Sequence, residues 1–80
     1  MGMSYEALLQ ISGCELPIDE FQARLMDVFH RGFPAWTVDD LLCHPRDAIR
    51  FCDRIREATR CHDLPYSLIL KILVGMRGHV

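Results

Sequence analysis

The chain contains 80 residues, half of them apolar and a quarter charged, which is typical of one small globular domain rather than a disordered segment. No apolar stretch reaches the roughly 18–20 residues that cross a bilayer, so we expect no membrane association. The net charge of −2 is uneven: residues 1–40 carry seven acidic and two basic side chains, and residues 41–80 carry four and seven. Either the halves attract each other within the fold, or the second half presents a basic surface to an acidic partner.

Helical patterns recur along the sequence, whereas no segment of five or more residues alternates between apolar and polar side chains as a half-exposed strand would. Ser4 is placed to cap a first helix, and Gly13 is placed to end it. A second helix follows Pro17 and is amphipathic, because its apolar side chains fall on one face: Ile18, Phe21, Leu25, Val28 and Phe29.

The middle of the chain carries a detailed signal for the start of a helix. Thr37 is the predicted N-cap of a short helix, and Trp36 and Leu41 have the spacing of a hydrophobic staple across that cap. Pro45 disfavours the helical conformation at the residue before it and suits the first turn of the next helix. With a last helix near the C-terminus, we predict an all-α bundle, with no sheet, as one domain of five helices: residues 5–12, 18–31, 38–43, 45–60 and 65–76.

Four cysteines could in principle form two disulfides, but the chain shows no export signal, so we expect reduced thiols and a cytoplasmic location. Cys52 falls in the middle of the apolar arc of the fourth helix, beside Ile49, and is predicted to lie in the core. Cys61, nine positions further on, falls on the opposite side of a continuous helix, so its replacement by serine is predicted to be nearly neutral. Cys43 stands at the end of the third helix, where a small buried side chain fits, so it is also predicted to be buried.

Adjacent Cys–His pairs stand at both ends of the fourth helix, at residues 43–44 and 61–62. The two ends are about 25 Å apart at 1.5 Å per residue, too far for a single ion. The C-x-x-C and H-x₃₋₅-H spacings of zinc sites are absent, so we expect no metal and no cofactor. Spacing also reveals no nucleophile–base pair and no Gly-rich phosphate loop. We therefore expect no catalytic residues and no enzyme activity.

Arg46, Arg50 and Arg54 recur at four-residue intervals on the solvent side of the fourth helix. Such residues could contact phosphates or guanine edges, and a short helix followed by a longer one resembles a helix-turn-helix outline. Acidic side chains share this face, however, and the joint lacks the usual three- to four-residue turn. The simpler interpretation is a solvated face with ion pairs between residues three apart, such as Asp47–Arg50. Nucleic-acid binding is therefore the alternative function.

The last helix, residues 65–76, is apolar around most of its circumference and has only a narrow polar strip, which includes Lys71. Such a helix is either the centre of the bundle or covered by a partner. Tyr66, Leu70 and Val74 continue the apolar surface beyond the arc that one neighbouring face would cover. With Lys71 at the rim, they form the predicted interface, and the expected partner is a second copy or another protein. The predicted function is a non-catalytic interaction or regulatory domain that self-associates through this helix.

Overall fold

A computed structural model describes residues 4–76 of the chain, and within them the backbone forms five helices and no strand. The predicted all-α fold is confirmed. Each helix begins and ends within one residue of its predicted boundary: α1 Tyr5–Ile11, α2 Ile18–Gly32, α3 Val38–Leu42, α4 Pro45–Thr59 and α5 Tyr66–Met76.

Both ends of α1 are set by local hydrogen bonds and backbone conformation. The Ser4 hydroxyl accepts a hydrogen bond from the backbone N–H of Ala7 at 3.2 Å, which satisfies one of the unpaired groups of the first turn. Gly13 then takes a φ of +84°, a left-handed conformation that glycine adopts at little cost. The N–H of Cys14 bonds to the Leu9 carbonyl at 2.9 Å, and the Cys14 side chain is buried as the chain turns toward α2.

The short helix α3 begins with a capping box. The Thr37 hydroxyl accepts from the Asp40 N–H at 3.2 Å, and the Asp40 carboxylate accepts from the Thr37 N–H at 2.9 Å. Because the backbone and hydroxyl of Thr37 bond to this carboxylate, the pKa of Asp40 is lowered. Trp36 packs against the core and Leu41 is fully buried, and the Trp36 ring contacts the rings of Phe33 and His44. These bonds allow a helix of only five residues to persist.

Replacing Thr37 with alanine removes the hydroxyl that accepts the Asp40 N–H. We expect the free energy of unfolding to fall by about 1 kcal/mol, measured by urea denaturation followed by circular dichroism. Thr37→Ser keeps a hydroxyl at the same position and should remain close to wild type. An alanine variant as stable as wild type would mean that this cap contributes nothing to the fold.

The core is organised around α4, which packs against α2, α3 and α5, while α2 also contacts α1 and α5. Phe51, Cys52 and Ile55 of α4 are fully buried. The Phe51 ring meets the rings of Phe29 and Phe33 edge-on, with centroids 6.1 and 6.4 Å away. Every side chain that is buried within residues 4–76 is apolar or a cysteine. Close packing, rather than buried polar bonding, therefore holds this core together.

Three side chains lie where the sequence analysis did not place them. Cys61 is buried, because α4 ends at Thr59 and Arg60 takes a left-handed conformation that turns the chain back toward the core. The basis for expecting a neutral Cys61→Ser substitution is therefore wrong. Cys43 is exposed, since it lies just beyond the last turn of α3. Ile49 is also exposed, at 47%, because it lies at the edge of the apolar arc of α4.

Candidate functional site: the outer surface of α5

Helix α5 divides its apolar side chains between the core and the surface. Leu70 and Val74 pack against the edge of the core and remain half-buried, and Lys71 is exposed. The helix is thus a core element on one face and a partly open apolar surface on the other. Its buried side chains, on the face that contacts α2 and α4, are Leu68, Ile69, Ile72 and Leu73.

Tyr66 begins a line of three apolar side chains, Tyr66, Leu70 and Val74, which lie four residues apart on one side of α5. We call these three residues the α5 row. Their spacing brings them together along the helix, as predicted from the sequence. All three are half-buried, whereas Lys71 extends into solvent beside them. The structure therefore brings the four predicted interface residues onto one region of the surface.

Tyr66 is fixed to α4 by two contacts that the sequence analysis did not foresee. Its hydroxyl donates to an Asp53 carboxylate oxygen at 2.7 Å, and the Arg56 guanidinium lies 4.1 Å above its ring centroid. The bond to Asp53, together with desolvation, raises the pKa of Tyr66 because it stabilises the protonated phenol. Arg56 also donates to the Leu64 carbonyl through Nε at 2.7 Å and through its terminal nitrogen. The start of the α5 row is thus held rigidly against α4.

Ile49 is a further exposed apolar side chain, on α4, and it was missed because the sequence analysis assigned it to the core. It lies one helical turn before Asp53, the residue that binds Tyr66, and therefore on the same side of α4. The available signal was its position at the edge of the arc formed by Ala48, Phe51 and Ile55. Edge positions of an apolar arc are the ones most easily left open to solvent.

Arg46, Arg50 and Arg54 are all exposed on α4, as the nucleic-acid alternative requires. The predicted ion pair between Asp47 and Arg50 does not form. Within residues 4–76, the ion pair present joins Arg31 Nε to Asp27 Oδ1 at 3.1 Å, on α2. Arg54 lies against α2 and shares an open groove with both acidic and basic side chains: Asp27, Arg31 and Glu57.

Comparison with protein-family models, curated proteins and solved structures gives no match. The surface must therefore be interpreted from its own chemistry.

Three further findings concern the part of the chain that the structure describes, residues 4–76. There, no group of three or more His, Cys, Asp or Glu side chains is arranged to hold a metal ion. Over the same residues, no helix has both the length and the apolar character that a bilayer crossing requires. All four cysteines are free thiols.

Proposed function

We propose that this chain is a small, non-catalytic interaction domain that forms a homodimer through the α5 row and Ile49. The observation that carries the proposal is the division of α5, which fills the core with one face and still keeps large apolar side chains half-exposed on another. Apolar surface that is grouped in one place, rather than scattered, is typical of a protein–protein contact.

The energetic support comes from the area that a second copy would cover. Complete burial of a valine, leucine or isoleucine side chain contributes about 1.5–3 kcal/mol. Leu70 and Val74 are already half-buried and would add a fraction of that value each, whereas Ile49 has 47% of its surface still to bury. In a two-fold dimer the same residues are buried once from each protomer. The sum is large enough to offset part of the cost of association.

The charges around the row are compatible with self-association. Lys71 is exposed next to Leu70 and would lie at the rim of the contact, where a charge keeps its hydration. Residues 1–40 carry seven acidic and two basic side chains, and we propose that one of these acids on the second copy pairs with Lys71. We also propose a reducing compartment such as the cytoplasm, where cysteine thiols stay reduced.

The double variant Leu70→Glu with Val74→Lys tests this proposal. It places charges within the α5 row, where a dimer would have to desolvate them. We expect a monomer in sedimentation velocity at concentrations where the wild type is a dimer, with the helical circular dichroism spectrum retained. Ile49→Lys alone should also weaken the dimer without affecting folding, because Ile49 is already largely exposed.

The matched control is Ile11→Lys, which adds the same charge at an apolar residue that is 69% exposed on α1, outside the proposed contact. It should leave the sedimentation coefficient unchanged. A wild type that sediments as a monomer at high concentration would overturn self-association directly. If Ile49→Lys and Ile11→Lys dimerise equally well, the contact does not include Ile49.

Nucleic-acid binding through Arg46, Arg50 and Arg54 is the second candidate. It is supported by the exposure of all three side chains and by the absence of ion pairs to them within residues 4–76. Salt separates the two candidates, because phosphate contacts weaken steeply as salt rises, whereas an apolar dimer contact does not. Fluorescence anisotropy with a labelled DNA duplex at about 50 and 200 mM salt makes the comparison. No binding at the lower salt concentration would remove this candidate.

A further inference from the structure

Two of the buried cysteines are neighbours in the fold although 47 positions separate them in the sequence. Cys14 lies between α1 and α2, and Cys61 lies between α4 and α5. Both residues are buried in the same apolar core, at 1% and 6% exposure, and the Cys61 thiol is one of the groups that raise the pKa of Cys14. Neither residue belongs to the α5 row, and neither has a part in the proposed dimer.

The backbone on both sides of this pair is fixed by the helix that precedes it. The N–H of Cys14 bonds to the Leu9 carbonyl at 2.9 Å, and the N–H of Cys61 bonds to the Arg56 carbonyl at 3.1 Å. The Cys61 thiol also donates to the Thr59 carbonyl at 3.2 Å. A disulfide forms only where two cysteines are close and correctly directed. Here each cysteine is held by a backbone bond to the helix before it, and the two segments border the same groove.

Of the two residues, Cys61 borders an open groove. An open groove runs between the two segments and is bordered by residues of both, including Cys61: Gly13, Glu15, Leu16, Thr59, Arg60 and Cys61. Cys14 is the more deeply buried thiol, and burial together with the neighbouring Cys61 thiol raises the pKa of Cys14 to about 11. Cys14 is therefore almost entirely protonated at neutral pH and is a slow nucleophile. Cys61, which borders the groove, is the thiol that a dissolved reagent reaches first.

We propose that Cys14 and Cys61 are a reversible redox pair that closes to an intramolecular disulfide within the folded protein. The oxidant is a small-molecule disulfide of the glutathione type. The Cys61 sulfur attacks one sulfur of this disulfide, which forms a mixed disulfide and releases one small thiol that takes up the Cys61 proton. The Cys14 sulfur then attacks Cys61 Sγ and displaces the second small thiol, which takes up the Cys14 proton. Two protein thiols are thus oxidised to one disulfide as one small disulfide is reduced to two thiols.

The effect of closure follows from the positions of the two residues. The bond would join the α1–α2 segment to the α4–α5 segment and would close a long loop that includes α2, α3 and α4. Closing such a loop restricts the unfolded chain far more than the folded one. The oxidised protein should therefore be more resistant to heat than the reduced protein, with a melting temperature higher by about 10 °C.

The test uses the full chain with Cys43→Ser, which removes the exposed thiol and leaves the other three cysteines in place. This protein is equilibrated with reduced and oxidised glutathione at several ratios, acid-quenched and alkylated, and analysed by mass spectrometry and peptide mapping. We expect a Cys14–Cys61 cross-link without bound glutathione. The effective concentration of the two thiols should be about a hundredfold higher in the folded protein than in the same protein unfolded in guanidinium chloride.

Cys61→Ala in the same background is the matched control, since it leaves Cys14 and Cys52 as the remaining thiols. It should form no intramolecular cross-link and its melting temperature should not respond to oxidised glutathione. Three results would overturn the proposal: glutathione adducts without a cross-link, a cross-link that includes Cys52, or an effective concentration no higher in the folded than in the unfolded protein. Each is read from the protein with its core cysteines intact, so none depends on whether a core variant folds.

Discussion

Replacing Cys52 with aspartate is expected to lower the free energy of unfolding by roughly 3–5 kcal/mol, out of the about 5–15 kcal/mol typical of a domain. Cys52 is fully buried among apolar side chains. Burial raises the pKa of its thiol to about 11, so the site disfavours negative charge. Arg56, the cation that acts on this site, already bonds to the Leu64 carbonyl and covers the Tyr66 ring. An ionised carboxylate at this position would therefore lack an adequate partner.

The loss of stability should be smaller in acid, and this dependence on pH distinguishes a buried charge from a simple packing defect. Desolvation raises the folded-state pKa of the introduced carboxyl above its unfolded value of about 3.9. Its neutral form is tolerated below that value, and stability is lost as the pH rises through the folded pKa. Urea denaturation of Cys52→Asp and of wild type, at about pH 3.5 and about pH 7, gives the loss in free energy of unfolding at each pH. An equal loss at the two pH values would contradict this account.

Cys43→Asp is the matched control, because it makes the same chemical change at an exposed position just beyond α3. Its free energy of unfolding should stay within about 0.5 kcal/mol of wild type. Equal destabilisation of the two variants would mean that burial does not determine the effect.

Replacing Phe51 with alanine is expected to cost about 3–5 kcal/mol. Its ring is fully buried and fills the space between α4 and α2, in edge contact with Phe29 and Phe33. Removing the ring leaves a cavity that two helices fixed by many other contacts cannot collapse to fill. Guanidinium denaturation followed by circular dichroism measures the loss.

Ile11→Ala serves as the control for Phe51→Ala, because it shortens an apolar side chain at an exposed position on α1, outside the proposed dimer contact. It should cost well under 1.5 kcal/mol. Phe51→Leu, which retains most of the apolar volume, should lie between the two. A Phe51→Ala variant no less stable than Ile11→Ala would place the aromatic cluster outside the core.

The helices themselves could be predicted because their signals are local. Ser4, Thr37 and Pro45 act through bonds or clashes within one turn, and the face of α2 follows from a periodicity within fifteen residues. For the same reason, each helix boundary was placed to within one residue. These signals require no knowledge of which helices become neighbours.

The positions that could not be predicted depend on tertiary contacts or on a single backbone angle. The left-handed Arg60 directs Cys61 inward, and nothing in the residue type of an arginine indicates this. Whether Cys14 and Cys61 come near each other depends on how the segments that follow α1 and α4 pack in the fold. At the candidate site, the α5 row could be predicted from helical spacing. The exposure of Ile49 could not, because it depends on how much of α4 the other helices cover.

The contacts around Arg56 have a consequence for the order in which the chain folds. The bond from Arg56 to Leu64 spans eight positions and the bond from Tyr66 to Asp53 spans thirteen, whereas that from Arg24 to the Ala58 carbonyl spans thirty-four. Short loops close with a smaller loss of entropy and therefore form sooner. We expect the α4–α5 hairpin to lead and α2 to dock on it later. Substitutions at Arg56 should then mainly slow folding, and substitutions at Arg24 should mainly speed unfolding.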